Sequence, residues 1–443
     1  MTVKIDFPYV DFPPVFIPEE QLIDIIQPKV NFNPRITDSE LIRMGLEQPI
    51  GSSNLRNLVQ KDQKILILVD DYTRITPTRI ILPLLMKELS AGGVSLKDIK
   101  LLIASGTHRA MSVKEKELKY GKDIVDSYKI IDHKWCDSNN LIQLSTALSG
   151  IDVWINKEVL TVDFIVGIGQ IVPHRVAGFS GGAKIIQPGI CGPITTGQTH
   201  WESALYDSIE IMGKADNPIR RSIDEIGKCV GLKFIINIIH DGSGRIFKCV
   251  CGDPIKAYNV GCKVALDIYG IPLSEPADIV IVDSFPADVE LWQAAKGIFS
   301  ADLALKQGGV MVLISPCLEG VSVEYPEITD IGYKSFVEVK AMVKRGEVKD
   351  LTLAAHLAHV GRIIRDKGIG ILVSSGIDGD TTKRLGFHYS KTPQEGFELA
   401  LKLKGKDAKV VVIKNGGEVM PIIRPIIGMG HNAIVRRDFK FCK

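Results

Sequence analysis

Short apolar runs that end in polar residues constrain the fold of this chain more than any other feature. Residues 64–69 read KILILV, residues 99–104 read IKLLIA, and residues 164–172 form a third such run. Strands that are apolar on both faces are typical of a parallel sheet covered by helices on both sides. The sequence therefore predicts an α/β fold whose polar strand ends meet at one edge of a sheet.

The same alternation starts again after a proline-containing hinge near residue 270. Beyond the hinge, strand-like runs at 279–282, 310–314, 369–373 and 409–413 alternate with helical segments at 291–307, 333–357 and 393–403. A chain of 443 residues exceeds one typical domain. We expect two α/β domains with mainly parallel sheets and the active site in the cleft between them. The N-terminal catalytic and cofactor-binding domain spans 1–270, the C-terminal domain spans 275–415, and a tail at 416–443 packs back near the hinge.

Composition narrows the possible partners. The formal net charge is +2 and no basic tract occurs, so neither nucleic acid nor an anionic membrane is an expected partner. The apolar runs are much shorter than the roughly 20 residues of a membrane-spanning helix. The N-terminus carries acids and prolines where a signal peptide needs an apolar core, and the eight cysteines contain no CxxC pair. These features indicate a cytoplasmic protein with reduced thiols.

Residues 163–200 concentrate the most polar chemistry. The apolar run breaks at His174 and enters a glycine-rich turn at 178–182, followed by Lys184 and, sixteen residues later, His200. Such a turn lets a backbone approach an anionic ligand closely. A single glycine motif is weak support, since a Gly-Gly turn followed by lysine is common in α/β enzymes. The segment fits neither a P-loop nor a G-x-G-x-x-G dinucleotide turn.

Three further groups of polar residues follow strands or lie on a helix. Asp71, Thr73 and Arg74 follow the first strand, where they fit either a ligand site or a helix cap with a surface charge. His108 follows the second strand, a suitable place for a general acid or base. Gln293 and Lys296 lie three residues apart and therefore share a helix face, although an exposed lysine would give the same spacing.

Taken together, these motifs resemble the nickel-dependent lactate racemase family, whose members carry a nickel-pincer nucleotide. Each motif alone is modest, but five in order over both expected domains are specific. The matching residues are Asp71-Tyr72-Thr73-Arg74 with Pro77, Gly106-Thr107-His108-Arg109, His174, Gly178-Phe179-Ser180-Gly181-Gly182-Ala183-Lys184 with Pro188-Gly189, His200, and Trp292-Gln293-Ala294-Ala295-Lys296-Gly297.

The resemblance implies a cofactor and a set of site residues. The cofactor is a pyridinium-3-thioamide-5-thiocarboxylic acid mononucleotide, held covalently on Lys184, with Ni²⁺ bound by the cofactor and by His200. A nitrogen donor suits Ni(II) in square-planar geometry. The resemblance implies further cofactor contacts at Asp71, Thr73, Arg74, Gly178, Ser180, Gly181, Gly182 and Trp292. It implies catalytic residues at His108, His174, Lys184, Arg74, Lys296 and Gln293.

The activity that this resemblance implies is racemisation or epimerisation of a 2-hydroxy acid. Hydride leaves C2 for the cofactor, a base takes the hydroxyl proton, and hydride returns to either face of a 2-keto acid. His108 and His174 provide one acid/base for each face, while Arg74 and Lys296 hold anionic groups. Closure of the two domains would exclude water from the keto acid.

The substrate and the rival functions stay open at this point. Ala183 and Trp292 depart from the arginine and tyrosine more often found at these positions, and Arg175 and Trp201 follow two site histidines. An added cation suits malate, a larger 2-hydroxy acid or an aldonate as well as lactate. A non-catalytic nucleotide- or anion-binding protein is the rival of another class, and an NAD-dependent dehydrogenase is a third. The expected partners are a small 2-hydroxy acid and cofactor-synthesis enzymes; the sequence does not give the oligomeric state.

Overall fold

Two six-stranded sheets organise the computed structural model, which describes residues 1–30, 36–146 and 149–424. The elements of its first half, in chain order, are β1 (Thr2–Ile5), β2 (Val15–Pro18), β3 (Leu22–Ile26), α1 (Asp38–Glu47), β4 (Ile65–Val69), α2 (Thr78–Ala91), β5 (Ile99–Ile103), α3 (Val113–Tyr120), α4 (Lys122–Ser127), β6 (Lys129–Asp132), β7 (Leu141–Thr146), β8 (Asp152–Asn156), β9 (Phe164–Gln170), β10 (Pro173–His174), β11 (Gly178–Phe179), α5 (Pro193–Ser203), α6 (Ser208–Ile211), α7 (Pro218–Val230), β12 (Leu232–His240) and β13 (Ile246–Gly252).

The remaining elements belong mostly to the second sheet and its helices. They are α8 (Lys256–Tyr269), β14 (Gly270–Leu273), β15 (Ala277–Asp283), α9 (Leu291–Ala304), β16 (Leu305–Ile314), α10 (Ile328–Ile331), α11 (Phe336–Arg345), α12 (Leu351–Gly361), β17 (Ile369–Val373), α13 (Gly379–Leu385), β18 (His388–Ser390), α14 (Pro393–Lys404), β19 (Val410–Ile413) and β20 (Met420–Ile423). A π-helical turn, Arg362–Lys367, continues α12.

The first sheet has the strand order β13-β12-β9-β4-β5-β6 and is parallel except for β13. Every residue of β4 and β9 is buried, since helices cover both faces. From β4, the chain continues to β5 on one side of β4, and it later places β9 on the other side. The carboxyl ends of β4 and β9 therefore flank the switch point at which open α/β sheets bind ligands.

The second sheet has the order β18-β17-β16-β15-β19-β3 and is parallel throughout. Its switch point lies between β15 and β19. The helix α9 follows β15, and the turn at 415–418 follows β19. Both sheets confirm the predicted α/β class with mainly parallel sheets.

The N-terminal segment differs from the expected domain boundary. We assigned residues 1–270 to the first domain, but β3 pairs with β19 at the edge of the second sheet. Val15 and Ile17, on β2, are fully buried against strands of that sheet. Unpaired sheet edges and apolar faces are costly, and this segment covers both. Residues 2–26 therefore belong structurally with the second domain.

A further difference concerns one expected helix. The expected helix over 333–357 is divided into α11 and α12, because α11 ends at Gly346 in the left-handed conformation (φ +73°). Residues 420–423 of the expected tail form β20, which pairs in parallel with β14 at the hinge, where the tail is expected to pack. The rest of the tail, 425–443, lies outside the described residues. In the part of the chain that the structure describes, no helix has the length and apolarity needed to cross a membrane.

Helix α5 of the first domain packs directly on α12 of the second. Gly197 allows this approach, since a Cβ there would lie 3.0 Å from Cβ of Leu351. The contact joins the two domains behind His200, which lies on α5, and His359, which lies on α12. The carboxyl edges of the two sheets consequently face each other across one cavity.

Candidate active site

One cavity of about 180 Å³ lies between the two domains and is lined by loops that follow β4, β5 and β9 and by α9 and α12. Most of the site residues expected from the sequence line it. These are Asp71, Arg74, His108, His174, Ser180, Gly181, Lys184, His200, Trp292, Gln293 and Lys296.

Thr73, Gly178 and Gly182 lie outside this lining. Thr73 borders a smaller neighbouring pocket and supports the loop from behind. Gly178 packs against the first domain, where a Cβ would lie 1.9 Å from the carbonyl oxygen of Lys214. A Cβ on Gly182 would lie 2.3 Å from Nη2 of Arg220. Both glycines have positive φ and are required for backbone conformation and packing, and their expected cofactor contacts stay a prediction.

A chain of hydrogen bonds crosses the cleft from Asp71 to Lys296. His108 Nδ1 lies 2.6 Å from Asp71 Oδ2, and His108 Nε2 lies 2.9 Å from Gln293 Nε2. Lys296 Nζ donates to Gln293 Oε1 over 3.0 Å. Because the lysine fixes the amide oxygen, the amide N–H₂ of Gln293 donates to His108. Nδ1–H then donates to Asp71, and the lone pair of the neutral ring is on Nε2.

The loop after β4 fixes the carboxylate of this chain. Thr73 donates to Asp71 Oδ1 from its hydroxyl over 2.6 Å and from its backbone N–H over 3.0 Å, and Arg74 Nη1 donates to the Thr73 hydroxyl over 2.7 Å. Burial raises the pKa of Asp71, but the charge and hydrogen bond of His108, with Arg74 and Thr73, lower it overall below its ordinary value. Asp71 is therefore a fixed anion that orients His108.

His174 has the opposite hydrogen-bonding pattern. The backbone N–H of Val176 donates to His174 Nδ1 over 3.1 Å, so the neutral ring carries its proton on Nε2. Burial and the neighbouring cations Lys184, Lys296 and Arg74 hold the pKa of His174 well below its usual value. The neutral forms of the two histidines thus carry their protons on different nitrogens, whereas the sequence suggests two equivalent acid/base groups.

Lys184 follows the glycine turn and faces the cavity. Burial, together with Arg74 and Arg220, lowers the pKa of Lys184 to about 7. The turn itself is held by Ser180, whose hydroxyl donates to Gln170 O over 2.8 Å and accepts from Val172 N over 3.0 Å. A lysine with this pKa is substantially neutral, and hence nucleophilic, near neutral pH.

His200 presents one free nitrogen to the cavity. Its Nδ1 donates to the carbonyl of Thr196, one helical turn earlier, over 2.8 Å, which leaves the Nε2 lone pair. Burial and Lys184 lower the pKa of His200 to about 4. The described residues contain no cluster of three or more His, Cys, Asp or Glu side chains suited to a metal ion. A metal at His200 would therefore need ligands from a cofactor.

The wall from the second domain is aromatic. Trp292 stacks between Tyr325 (centroids 4.6 Å apart) and His356 (3.9 Å), and His356 Nε2 is 3.0 Å from the hydroxyl of Tyr333. His359 Nε2 is 3.0 Å from Ser203 Oγ on α5. His356 and His359 were not among the site residues expected from the sequence. They are packed, but both line the cavity. Their H-x-x-H spacing on one helix face was the signal available.

Arg175 and Trp201, the two residues noted after site histidines, take part in the domain interface. Arg175 Nη2 donates to the carbonyl of Tyr206, and burial lowers the pKa of Arg175 to about 10. Trp201 packs against the core of the second domain. Arg175 also lines the cavity, and its Nε and Nη1 are buried without a hydrogen-bond partner among the described residues, so its expected role as an extra cation for the substrate stays a prediction.

Glu418 adjoins the cavity lining and was not among the site residues expected from the sequence. It is buried in the turn after β19, beside Gly417, which lines the cavity. Burial raises the pKa of Glu418 to about 7, although the nearby Lys296 and Arg74 act to lower it. A glutamate after a Gly-Gly pair at a strand end was a visible signal, but it lay in the segment whose role the sequence did not indicate.

Comparison with known proteins agrees with the geometry. Residues 13–212 match the family model described as the lactate racemase N-terminal domain, and residues 273–421 match the lactate racemase C-terminal domain. A lactate racemase of Thermoanaerobacterium thermosaccharolyticum is 30% identical over 415 residues, which are 91% of this chain and 95% of that protein. A lactate racemase of Lactiplantibacillus plantarum is 29% identical over 399 residues, 88% and 93% of the two chains.

Solved structures show the same fold. The lactate racemase apoprotein of T. thermosaccharolyticum superposes with a TM-score of 0.83 at 28% identity, covering 95% of this chain and all of that one. A Thermotoga maritima structural genomics protein shares the fold, with a TM-score of 0.72 at 24% identity over 89% of this chain and all of its own. The family models, the relatives and the facing strand ends of the two sheets lead to one assignment: this chain belongs to the lactate racemase family.

Proposed function

We propose that this protein racemises or epimerises a 2-hydroxy acid of the lactate type, through a 2-keto acid and with a lysine-bound nickel-pincer nucleotide. The observation that carries the proposal is the hydrogen-bond chain from Asp71 through His108 and Gln293 to Lys296. It joins an oriented base to a buried cation across the cleft. A 2-hydroxy acid offers the matching groups, a hydroxyl proton next to a carboxylate.

The base of this chain is His108. With Nδ1–H held by the Asp71 carboxylate, Nε2 accepts the hydroxyl proton of the substrate, and the carboxylate stabilises the imidazolium that forms. Loss of hydride from C2 then leaves a planar 2-keto acid. Abstraction of the weakly acidic C2 proton is avoided, which removes the need for a much stronger base.

His174 lies at the same cavity with a different hydrogen-bonding pattern. Its neutral ring donates from Nε2, while Nδ1 accepts the N–H of Val176. In this form it can hydrogen-bond to the carbonyl oxygen of the keto acid. Before Nε2 can accept a proton from the substrate, the ring must flip or move its own proton from Nε2 to Nδ1. We therefore propose two acid/base histidines that serve opposite faces but differ in the cost of becoming charged.

Arg74 and Lys296 are the cations proposed to hold the substrate carboxylate. Both line the cavity together with His108 and His174. Hydrogen bonds between a buried cation and a carboxylate are among the stronger polar contacts in proteins. Gln293, bonded to both His108 and Lys296, would keep the hydroxyl and carboxylate sites at a fixed distance.

The residues present fit the nickel-pincer nucleotide. The lowered pKa of Lys184 favours the neutral amine that covalent attachment needs. His200 offers a single nitrogen at a place where the described residues contain no cluster that could hold a metal alone. Next to them, a Cβ on Gly181 would meet Ile171 at 2.6 Å, so the turn passes close to β9 and keeps the cavity open. When bound, the cofactor supplies the hydride acceptor. Its assembly requires cofactor-synthesis enzymes as partners.

The test combines cofactor loading with turnover. The protein, co-expressed with cofactor-synthesis enzymes, should gain mass on the peptide that contains Lys184, contain about one nickel per chain and interconvert D- and L-lactate. Malate, longer 2-hydroxy acids and aldonates are the alternative substrates in the same assay. Loading without turnover of any of them would favour the rival reading, a non-catalytic nucleotide-binding protein. Absence of both adduct and nickel, under conditions that load a known family member, would refute the cofactor assignment.

A further inference from the structure

We propose that Glu418 is a positioning residue that acts through Lys296, keeping its ammonium group charged for the substrate carboxylate. This inference rests on the proposed function, because it concerns the same anion site. Glu418 does not form a salt bridge with Lys296 in the described residues. Its turn is bound by Ser300, which lies one helical turn after Lys296 on α9, so the carboxylate acts on the ammonium group electrostatically rather than by direct contact.

The position of Glu418 follows from the second sheet. The turn at 415–418 leaves the carboxyl end of β19 next to β15, at the switch point that faces the first domain. Ser300, on α9, binds this turn by donating towards the carbonyls of Gly416 (2.6 Å) and Val419 (2.5 Å). Because α9 also carries Lys296, the turn and the lysine are held on one rigid unit. Gly417, next to Glu418, completes the cavity wall.

Among the described residues, the Glu418 carboxylate has no hydrogen-bond donor that would give it a purely structural role. Glu418 is 7% exposed, and within the described ranges no backbone or side-chain group donates a hydrogen bond to its carboxylate. The groups that interact with it electrostatically are Lys296, Arg74 and Tyr269. A buried carboxylate without hydrogen bonds is costly unless a charge compensates it. Two cations compensate this one.

Lys296 needs such a partner. Its pKa lies well below the usual value because it is buried and faces Arg74 and Lys184, whereas Glu418 and Asp71 act in the opposite direction. A neutral amine would not attract a carboxylate. Asp71 is already hydrogen-bonded to His108, so Glu418 is the anion with no other hydrogen-bonding role near Lys296.

The direction of the pH dependence follows from these charges. Burial raises the pKa of Glu418 to about 7, so the carboxylate is mostly protonated below this pH and anionic above it. Glu418 therefore stabilises the charged form of Lys296 above about pH 7 and has little effect on it at pH 6. Removing the carboxylate should weaken substrate binding at alkaline pH and have little effect at acidic pH.

The test compares Glu418→Gln with Asp283→Asn in the cofactor-loaded enzyme. Asp283 is an equally buried carboxylate, but it accepts hydrogen bonds from the backbone N–H groups of Asn415 and Phe285 and supports the same turn. For Glu418→Gln we expect KM for the hydroxy acid to rise about tenfold at pH 8 and less than twofold at pH 6, with kcat nearly unchanged. For Asp283→Asn no such pH-dependent difference is expected.

A second measurement follows the protonation of Lys296 and does not depend on turnover. The pH dependence of its labelling by an amine-reactive reagent, followed by peptide mass spectrometry, should shift to lower pH in Glu418→Gln. An unchanged labelling midpoint, or an equal KM effect in Asp283→Asn, would overturn the inference. If the wild type loads cofactor but turns over no hydroxy acid, the proposed function fails while the labelling result still decides the role of Glu418.

Discussion

Asp71→Asn is the substitution that tests the catalytic geometry most directly. The Asp71 carboxylate accepts Nδ1–H of His108 at 2.6 Å, a charge-assisted hydrogen bond. Such bonds contribute about 1.5–3 kcal/mol. With about 1.4 kcal/mol for each factor of ten in rate, their loss predicts a decrease in kcat of roughly 10- to 150-fold.

A larger loss has a specific structural cause. An asparagine amide in this place can donate to Nδ1 of His108, which would move the ring proton to Nε2. Both Nε2–H and the N–H₂ group of Gln293 would then point at each other across 2.9 Å. Enzymes in which a histidine is held in the wrong tautomer lose about 10⁴-fold in kcat. A decrease above about 150-fold would therefore indicate a tautomer change.

The assay is racemisation by the cofactor-loaded enzyme, followed by chiral chromatography, with cofactor content measured on each sample. A double-mutant cycle with His108→Ala provides the control. Because Asp71 is proposed to act through His108, adding Asp71→Asn to His108→Ala should cause no further loss. The proposed action of Asp71 through His108 would be refuted if Asp71→Asn lowered kcat by the same factor in the wild type and in His108→Ala. It would also be refuted if Asp71→Asn had the kcat of the wild type.

The remaining predictions concern the cations and the second histidine. Lys184→Ala should abolish the covalent mass adduct, and a normal adduct on this variant would remove Lys184 as the attachment site. Arg74→Ala should raise the pH midpoint of Lys184 labelling in the unloaded protein above about 7, because it removes a repelling cation; an unchanged midpoint would contradict the observed proximity. His174→Ala should stop racemisation while leaving nickel and adduct content unchanged, and full racemisation by the variant would contradict a base on each face.

Much of the first domain could be predicted because its signals are local. The apolar runs that became β4 and β9 are buried on both faces, and only a sheet covered by helices satisfies such strands. The polar residues that follow them, Asp71 and His174, lie at the cavity for the same reason. Here the sequence pattern and the site arise from one physical cause.

The N-terminal strand and the C-terminal turn could not be predicted in this way. β3 joins the second sheet by pairing with β19, almost 390 residues away in sequence, and such pairing leaves no periodicity in either segment. Glu418 enters the site only because β19 lies next to β15. The packing roles of Gly178 and Gly182 could not be predicted for a related reason: a glycine fits a ligand cradle and a tight packing contact equally well, and only the neighbours Lys214 and Arg220 show the packing contact.

The bond between Gln293 and His108 couples proton transfer to the relation of the two domains. Lys296 fixes the amide so that its N–H₂ group occupies the Nε2 lone pair of His108, the atom proposed to take the substrate proton. The substrate hydroxyl must therefore displace the amide, and the substrate carboxylate, by drawing Lys296 away from Gln293 Oε1, would release it. Once Nε2 is protonated, it cannot accept the amide again until the proton has left. As long as Lys296 holds Oε1 of Gln293, the interdomain hydrogen bond in this form therefore requires a neutral His108.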